Sequence, residues 1–174
     1  PLWQRLLRVL LWMLPLVIFL TLIETAFAQY SDVSSDKWYS DTVLRFQSAG
    51  YLHRDKGKFR PGDSAMRSEF LQLILDVQGG IRQTSPSVPS FSDVAPNQWF
   101  FTYMEEAGRL KWVRGDGDCY GRKFCNARPN GNINRAEAAA LLVRAFGFEA
   151  TNTAPNFADN TVGQWYNTTI QIAA

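Results

Sequence analysis

The sequence predicts an all-α protein of tandem helix–loop–helix repeats. One pattern occurs three times: an aromatic residue, a small residue, an aspartate and, six residues after that aspartate, a tryptophan. The copies begin at Tyr30, Phe91 and Phe157, which are 61 and 66 residues apart. Apolar residues also recur at helical spacing twice within each of the first two copies. A unit of this size buries its apolar face only against further copies, so we expect a pseudo-threefold bundle.

Residues 1–28 are predicted to be a signal-peptide helix that precedes the repeats. Arg5 and Arg8 come before a run of 15 mostly apolar residues, Val9 to Ile23, and Ala26-Phe27-Ala28 has the small-x-small form of a cleavage site. The alternative is an uncleaved membrane anchor, but a spanning helix needs about 20 apolar residues. In both cases we expect an exported protein that contacts the membrane only through this segment.

The first copy, residues 29–80, is predicted to contain two helices. The first has an apolar stripe and is ended by Gly50, and the second begins near Arg67. The apolar stripe of the first comprises Trp38, Val43, Phe46 and Ala49, and that of the second Phe70, Leu73, Ile74 and Val77. Residues 81–90 follow as a Pro- and Ser-rich linker, which we expect to be extended.

The second copy, residues 91–148, repeats this arrangement. Its first helix is predicted to end before Gly108, and its second to begin near Arg135. The apolar faces comprise Trp99, Tyr103, Met104 and Ala107 in the first helix, and Ala138, Leu141, Leu142 and Ala145 in the second. A linker at 149–156 leads to the third copy, 157–174. That copy looks truncated, so we expect the protein to continue past Ala174.

The starts of the two second helices differ in their capping residues. Asn134 and Glu137 form a predicted capping box, in which a side-chain acceptor and a carboxylate three residues later satisfy free helix amides. Met66 occupies the equivalent place in copy one, and methionine cannot cap. The second helix of copy one is therefore predicted to start weakly, or further back at Asp63 or Ser64.

Cys119 and Cys125 are the only two cysteines. Because an exported protein meets an oxidising compartment, we expect them to form a disulfide. A metal site would need further ligands, and the only histidine, His53, is distant in sequence. A net charge of +2 without a basic stripe argues against nucleic acid as a partner.

The ordered motifs resemble those of the S-layer homology (SLH) family. In copy two they are Phe91-Ser-Asp-Val, Trp99, Gly115-Asp116 and the stretch from Arg128-Pro-Asn-Gly to Arg135-Ala-Glu-Ala. Copy one carries a similar series, and the resemblance extends over nearly all of residues 30–174. It implies a three-pronged helical bundle that binds cell-envelope polysaccharide without covalent linkage, in several members a pyruvylated wall polymer. Other S-layer or surface proteins are possible further partners.

The resemblance also implies ligand residues in grooves between repeats. Arg67 and Arg135 would bind a sugar-borne carboxylate, since a guanidinium offers a two-point donor. The alternative is that they pair with Glu69 and Glu137 or with a neighbouring repeat.

The tryptophans Trp38 and Trp99 would stack on sugar rings, and the alternative is core packing. Asp32 and Asp93 would accept from sugar hydroxyls, or else serve as turn and capping residues. The Gly115-Asp116 loop completes the implied set. Copy two carries a seven-residue insertion around its two cysteines relative to copy one, which could reshape or cover its groove.

No catalytic constellation is present in the sequence, so we predict no enzymatic activity for these residues. Glu105 and Glu106 are adjacent in a predicted helix and point in different directions, unlike the facing carboxyls of a glycosidase. Residues 126–137 fit only part of a calcium loop, because Arg128 would lie among the ligands. We expect no cofactor and no metal. Two rivals to polysaccharide anchoring remain: a purely structural assembly module, and the anchor of a surface enzyme.

Overall fold

The computed structural model describes residues 30–53, 57–150 and 157–174, and the predicted signal segment 1–28 lies outside them. These residues contain five helices and no strand, so the all-α prediction is confirmed. In chain order the helices are α1 (Ser40–Ser48), α2 (Arg67–Val77), α3 (Phe101–Arg109), α4 (Arg135–Phe146) and α5 (Asn167–Ala173). The pseudo-threefold arrangement stays a prediction. No helix in the described ranges is long and apolar enough to span a membrane.

The chain divides into two compact units after Pro61. The first holds α1, and its small core consists of the buried side chains of Tyr30, Val33 and Val43. Phe59 packs against this core, its ring centroid 5.7 Å from that of Tyr30. Gly50 follows α1 with a φ of +78°, a left-handed conformation that glycine adopts without strain and that ends the helix as expected.

The second unit, Gly62–Ala174, has its core where α2, α3 and α4 meet. Helix α2 packs on both α3 and α4, and α5 packs on α4. The second helix of copy one therefore shares its core with copy two. The fully buried side chains at its centre are Leu71, Leu75, Phe91, Val94, Met104, Val113 and Leu141.

The predicted apolar faces need correction in the four helices of the first two copies. In α2 the buried apolar residues are Leu71, Ile74 and Leu75, and the partly buried Phe70 packs against the same core. The core face is therefore rotated from the predicted one and shares Phe70 and Ile74 with it.

In α1, Trp38 does not join the stripe: it precedes the first helical residue by two positions, and its side chain is 91% exposed. Trp99 likewise precedes α3 by two positions and is 51% exposed, and in α4 Ala140 is buried while Leu142 is exposed. The α2 face is rotated because this helix meets two neighbours, and the tryptophans are misplaced because a residue outside a helix does not follow helical spacing.

The starts of α4 and α2 can be compared with the capping that the sequence predicted for them. In α4 the predicted capping box is confirmed: Glu137 N–H donates to Asn134 Oδ1 at 2.9 Å, and Asn134 N–H donates to Glu137 Oε2 at 3.1 Å. Helix α2 begins at Arg67 and is not shifted back to Asp63 or Ser64.

Carbonyl groups of copy two replace the missing cap of α2. Arg67 N–H donates to the carbonyl of Gly131 at 2.9 Å, and Ser68 N–H donates to that of Pro129 at 3.0 Å. Glu69 also accepts the Met66 amide at 2.8 Å. A helix start needs partners for its first amides, and a tertiary contact supplies them here as well as a side chain would.

Gly108 does not end α3, contrary to the prediction. The helix continues to Arg109, and Gly108 is buried inside it. A Cβ atom at this position would collide with the ring of Tyr120 and lie 3.0 Å from Phe91 Cε2. Gly108 is therefore required by the close approach of another segment and not by a helix end.

The linker 81–90 is fastened to α3 by the adjacent glutamates. Ser90 N–H donates to Glu105 Oε1 at 2.9 Å, and Arg82 N–H donates to Glu106 Oε1 at 3.3 Å. Both glutamates are buried, and Arg109 forms two hydrogen bonds to Glu106 at 2.7 and 2.9 Å. These carboxylates thus hold the connector in place.

Replacing Glu105 with alanine is expected to lower the free energy of unfolding by about 1 kcal/mol, since the Ser90 amide loses its acceptor. Glu105→Gln keeps an acceptor oxygen and should cost less than half as much. Urea unfolding of the two variants measures both values. An alanine variant as stable as the wild type would show that this contact does not hold the linker.

Candidate functional site

The site begins with an aspartate that fastens a loop. Asp93 accepts two backbone hydrogen bonds, from Ala127 N–H at its Oδ1 and from Arg128 N–H at its Oδ2, both at 2.8 Å. Arg128 has a φ of +54°, a conformation that costs a non-glycine residue energy. The paired bonds from Asp93 hold the backbone in that conformation and so determine where the Arg128 side chain starts.

Copy one repeats this geometry in the first unit. Asp32 accepts from Phe59 N–H and Arg60 N–H, both at 2.8 Å, and Arg60 has a φ of +60°. The Phe59 hydrogen bond is the largest influence on the Asp32 carboxyl, whose pKa lies below its ordinary value although burial opposes the shift. Asp32 and Asp93 therefore have a structural role in both copies, and a ligand role for them stays a prediction.

Arg128 connects two carboxylates. Its Nε donates to Asp116 Oδ1 at 2.9 Å, and its Nη2 donates to Glu137 Oε1 at 2.8 Å. The hydrogen bond to Glu137 is the main reason that the pKa of Arg128 lies above its ordinary value. Arg67 Nη1 approaches the same Glu137 oxygen to 3.4 Å. We call Asp116, Arg128, Glu137 and Arg67 the charged junction.

Glu137 is the centre of the charged junction. Burial alone would raise the pKa of its carboxyl, but the Asn134 amide, the Arg128 hydrogen bond and the charge of Arg67 outweigh burial and lower it. Its side chain is 10% exposed, so these interactions lie in a largely desolvated environment. The predicted capping role of Glu137 is correct, and the residue also joins copy two to the helix from copy one.

Arg67 is the least satisfied member of the charged junction. Its side chain is 13% exposed, and its Nε and Nη1 atoms are buried without a hydrogen bond to the described residues, although Nη1 forms the 3.4 Å ion pair with Glu137. Burial is the main cause that lowers the pKa of this guanidinium, while Glu137 opposes the shift. Of the alternatives for Arg67, pairing with a neighbouring repeat is the one observed. A buried cation with unused donors can bind an anionic oxygen.

Arg144 adds positive charge close to Arg67. Its Nη1 donates to the carbonyl of Trp112 at 2.9 Å, and its pKa is lowered by burial and then by the charges of Arg114 and Arg67. Neither Arg128 nor Arg144 was predicted as a site residue. The repeated Arg-Pro pair at Arg60 and Arg128 was a signal that could have identified Arg128, whereas Arg144 has no such marker.

Arg135 differs from Arg67 although both are the first residue of a second helix. Its side chain is exposed, and it forms no ion pair with another residue of the described ranges. The structure therefore brings Arg67 and Asp116 into one cluster with Arg128 and Glu137, and leaves Arg135 outside it.

The Gly115-Asp116 loop is packed against the disulfide. Cys119 and Cys125 are bonded, as predicted. Gly115 has a φ of +75°, and a Cβ atom there would collide with the Cys125 sulfur and lie 2.8 Å from that of Cys119. Asp116 N–H donates to the carbonyl of Asn126 at 2.9 Å. The insertion thus supports this loop and leaves Asp116 paired with Arg128.

The three repeated tryptophans lie at the surface. Trp38, Trp99 and Trp165 are 91%, 51% and 59% exposed, so the alternative of core packing is wrong. Each stands edge-on to the aromatic residue that follows it, with centroids 5.3 to 5.5 Å apart. Each therefore presents apolar ring surface to solvent.

The chain is similar to proteins of bacterial cell surfaces. It is 26% identical over 125 residues to S-layer protein sap of Bacillus anthracis, and 27% over 154 residues to the surface-layer 125 kDa protein of Lysinibacillus sphaericus. It is 28% identical over 123 residues to amylopullulanase of Thermoanaerobacterium thermosulfurigenes. These alignments cover 71%, 84% and 68% of the chain, but only 14%, 12% and 6% of the relatives. No family model matches the chain.

These similarities confirm the predicted location. S-layer and surface-layer proteins are exported to the cell envelope, and the chain belongs with them in that respect. Similarity to structural S-layer proteins favours a non-enzymatic module, and the chain matches only a small part of amylopullulanase.

Proposed function

We propose that the chain is an SLH-type module that anchors an exported protein to cell-envelope polysaccharide. Three kinds of observation support the proposal: the repeated motifs, the similarity to S-layer proteins, and a charged junction where a helix of copy one meets copy two. The proposal extends to the copy boundaries and the ligand residues predicted above. The set proposed to contact the polymer is Arg67, Arg135, Trp38, Trp99, Asp32, Asp93, Gly115 and Asp116.

The observation that carries the proposal is the state of Arg67. Two of its donor atoms have no hydrogen bond within the described part of the chain, only one of them is in an ion pair, and burial weakens the hydration of the guanidinium. A carboxylate on a sugar, such as that of a ketal-linked pyruvate, matches the planar donor pair of a guanidinium. Such a ligand would be bound in a site of low dielectric, where a charge-assisted hydrogen bond is stronger than in water.

The other residues of the charged junction hold the Arg67 guanidinium in position to bind a carboxylate. Glu137 is shared between Arg67 and Arg128, so it only partly neutralises either guanidinium. Asp116 in turn pairs with Arg128 and limits its movement. We infer that these residues position Arg67, while an exposed ring such as Trp99 covers the apolar face of a sugar.

The test is co-sedimentation of the full exported protein with isolated envelope polysaccharide. Arg67→Lys keeps the charge but loses the planar fork, and we expect an affinity loss of at least about tenfold, as for the loss of one charge-assisted hydrogen bond. Arg135→Ala and Trp99→Ala should each weaken binding to a smaller extent.

Arg45→Ala is the matched control, because it removes an exposed cation of α1 that lies outside the proposed site. Circular dichroism melting of each variant separates lost binding from lost folding. If Arg67→Ala and Arg135→Ala together leave binding unchanged in a folded protein, the arginines do not bind the polymer. If the wild type does not bind at all, a structural assembly module is the better account.

A further inference from the structure

The disulfide loop carries a second surface that the charged junction does not use. A cleft of about 580 Å³ lies between residues 88–96 and residues 121–124. Arg122, Lys123 and Phe124 form one wall of it, and we call these three residues the cationic tip. All three are exposed, and Phe124 is 79% exposed.

The cationic tip is built on a rigid base. The loop that carries the tip is closed by the Cys119–Cys125 disulfide, and Cys125 is fully buried in the core. Arg122 N–H donates to the carbonyl of Cys119 at 2.8 Å, and Ser92 N–H donates to that of Cys125 at 2.6 Å. The insertion is therefore an ordered part of the second unit.

Tyr120 and Gly108 give independent support for this order. The ring of Tyr120 packs on Phe91, with centroids 5.3 Å apart, and Tyr120 N–H donates to the carbonyl of Arg114 at 2.9 Å. The ring fills the space that the absent side chain of Gly108 leaves on α3. Helix, loop and disulfide thus fit one another, which lowers the entropy cost when the tip binds a ligand.

The chemistry of the cleft selects an anion with an apolar face. Its lining includes two cations and no acidic residue. Lys123 Nζ lies 5.1 Å from the Phe124 ring centroid. Phe124 has a φ of +64°, so its exposed ring is held in a conformation that has an energy cost. The remaining lining is mostly apolar, with Val88, Pro89 and Pro96 among it.

We propose that the cationic tip and its cleft form a separate subsite for an acidic glycan. Arg122 and Lys123 would pair with sugar carboxylates, and the exposed Phe124 ring would stack on the apolar face of a pyranose. An acidic peptide is the less suitable occupant, because the described residues present no strand edge with which an extended peptide could pair. The inference rests on the proposed polysaccharide function, but it uses none of the residues of the charged junction.

The test is a titration of the full exported protein with oligogalacturonate, an acidic glycan of defined structure. Binding is monitored through the NMR chemical shifts of the backbone amides. We expect the largest shifts at residues 88–96 and 121–124. The double variant Arg122→Ala/Lys123→Ala should weaken binding about tenfold, since each of two exposed charge pairs contributes a few-fold to the affinity. Added salt should reduce the affinity of the wild type, because it screens exposed charges. Phe124→Ala should weaken binding by a smaller factor. A neutral malto-oligosaccharide should bind at least about tenfold more weakly than oligogalacturonate, because it lacks the carboxylates and so loses at least about one charge-assisted contact.

Arg135→Ala and Arg67→Lys separate this inference from the proposed function, because they alter the other predicted site. Shifts at residues 88–96 and 121–124 should persist in both variants, whereas any shifts that oligogalacturonate causes around Arg67 should be reduced. Cys119→Ser/Cys125→Ser should weaken tip binding while the buried core stays folded. The inference is overturned if oligogalacturonate does not bind, if it shifts no amides within the cleft, or if polyglutamate binds more tightly. In each of these cases envelope binding through Arg67 is still judged by its own co-sedimentation test.

Discussion

Replacing Glu137 with alanine is expected to lower the free energy of unfolding of the Gly62–Ala174 unit by about 2–4 kcal/mol. The substitution removes the acceptor of the Asn134 amide and of Arg128 Nη2, and it leaves Arg67 without its carboxylate. Arg67 is then a buried cation without an ion pair to the described residues, and only the charge of Asp116 still opposes the effect of its burial. Breaking one side of such a pair costs more than the pair contributes, because the remaining charge stays desolvated.

Glu137→Gln is the matched control for Glu137→Ala. It keeps the shape and one acceptor oxygen but not the charge, so it should cost roughly half as much. Guanidinium chloride unfolding followed by near-ultraviolet circular dichroism measures both variants. Equal stability of the alanine variant and the wild type would mean that the charged junction does not hold copy two to α2.

The Glu137 carboxyl also predicts the sign of a pH effect. Its pKa lies below its ordinary value in the folded protein, so its contribution to stability is fully present above the unfolded-state pKa. The contribution is lost as the pH falls through the lower, folded-state pKa. The wild type should therefore lose more stability than Glu137→Gln on acidification below about pH 4.5. Parallel pH curves for the two proteins would contradict this assignment.

Replacing Asp93 with alanine is expected to cost about 2–3 kcal/mol, since two backbone hydrogen bonds to a charged acceptor are lost together. The backbone of Arg128 would then relax from its left-handed conformation, and its bonds to Asp116 and Glu137 would be lost with it. Binding of envelope polysaccharide should therefore fall even where the protein stays folded. Thermal unfolding and co-sedimentation of the same sample measure the two effects.

Two further variants sharpen this prediction. Asp93→Asn keeps one acceptor and should lie between the wild type and alanine in stability. Asp32→Ala removes the same pair of bonds from the first unit, where its Arg60 is not part of the charged junction. Asp32→Ala should destabilise the first unit and leave the Arg67 cluster intact. If Asp93→Ala leaves polysaccharide binding at its wild-type value, Arg128 does not position the site.

The parts of the fold that could be predicted are those with a local physical cause. The start of α4 follows from two side chains, Asn134 and Glu137, that satisfy the first amides of their own helix. The position of α2 near Arg67 was predicted, but the partners of its first amides could not be, because these amides donate to carbonyls more than sixty residues further along the chain. The same distinction applies to Gly108. A glycine is required there because the Tyr120 ring approaches closely, and not because of the helix that contains it.

The site was predictable to a smaller extent. The repeated sequence motifs identified Arg67 and the tryptophans as candidate site residues. They did not predict that the Arg67 side chain is buried and that Trp38 is exposed. Glu137 was interpreted as a cap because that role is local. Its contact with Arg67 depends on how α2 packs on copy two, which is a tertiary event. The repeated Arg-Pro pair marked Arg128, but its contacts with Asp116 and Glu137 depend on the backbone conformation that Asp93 holds.

The central claim is that a guanidinium between repeats binds the carboxylates of an envelope polysaccharide. The most direct measurement is calorimetric titration of the full exported protein with purified envelope polysaccharide before and after its carboxyl groups are reduced to alcohols. We expect the native polymer to bind and the reduced polymer to bind at least about tenfold more weakly, since the charge-assisted hydrogen bonds to Arg67 are lost. Equal affinity for the two polymers, or no binding of the native one, would contradict the account.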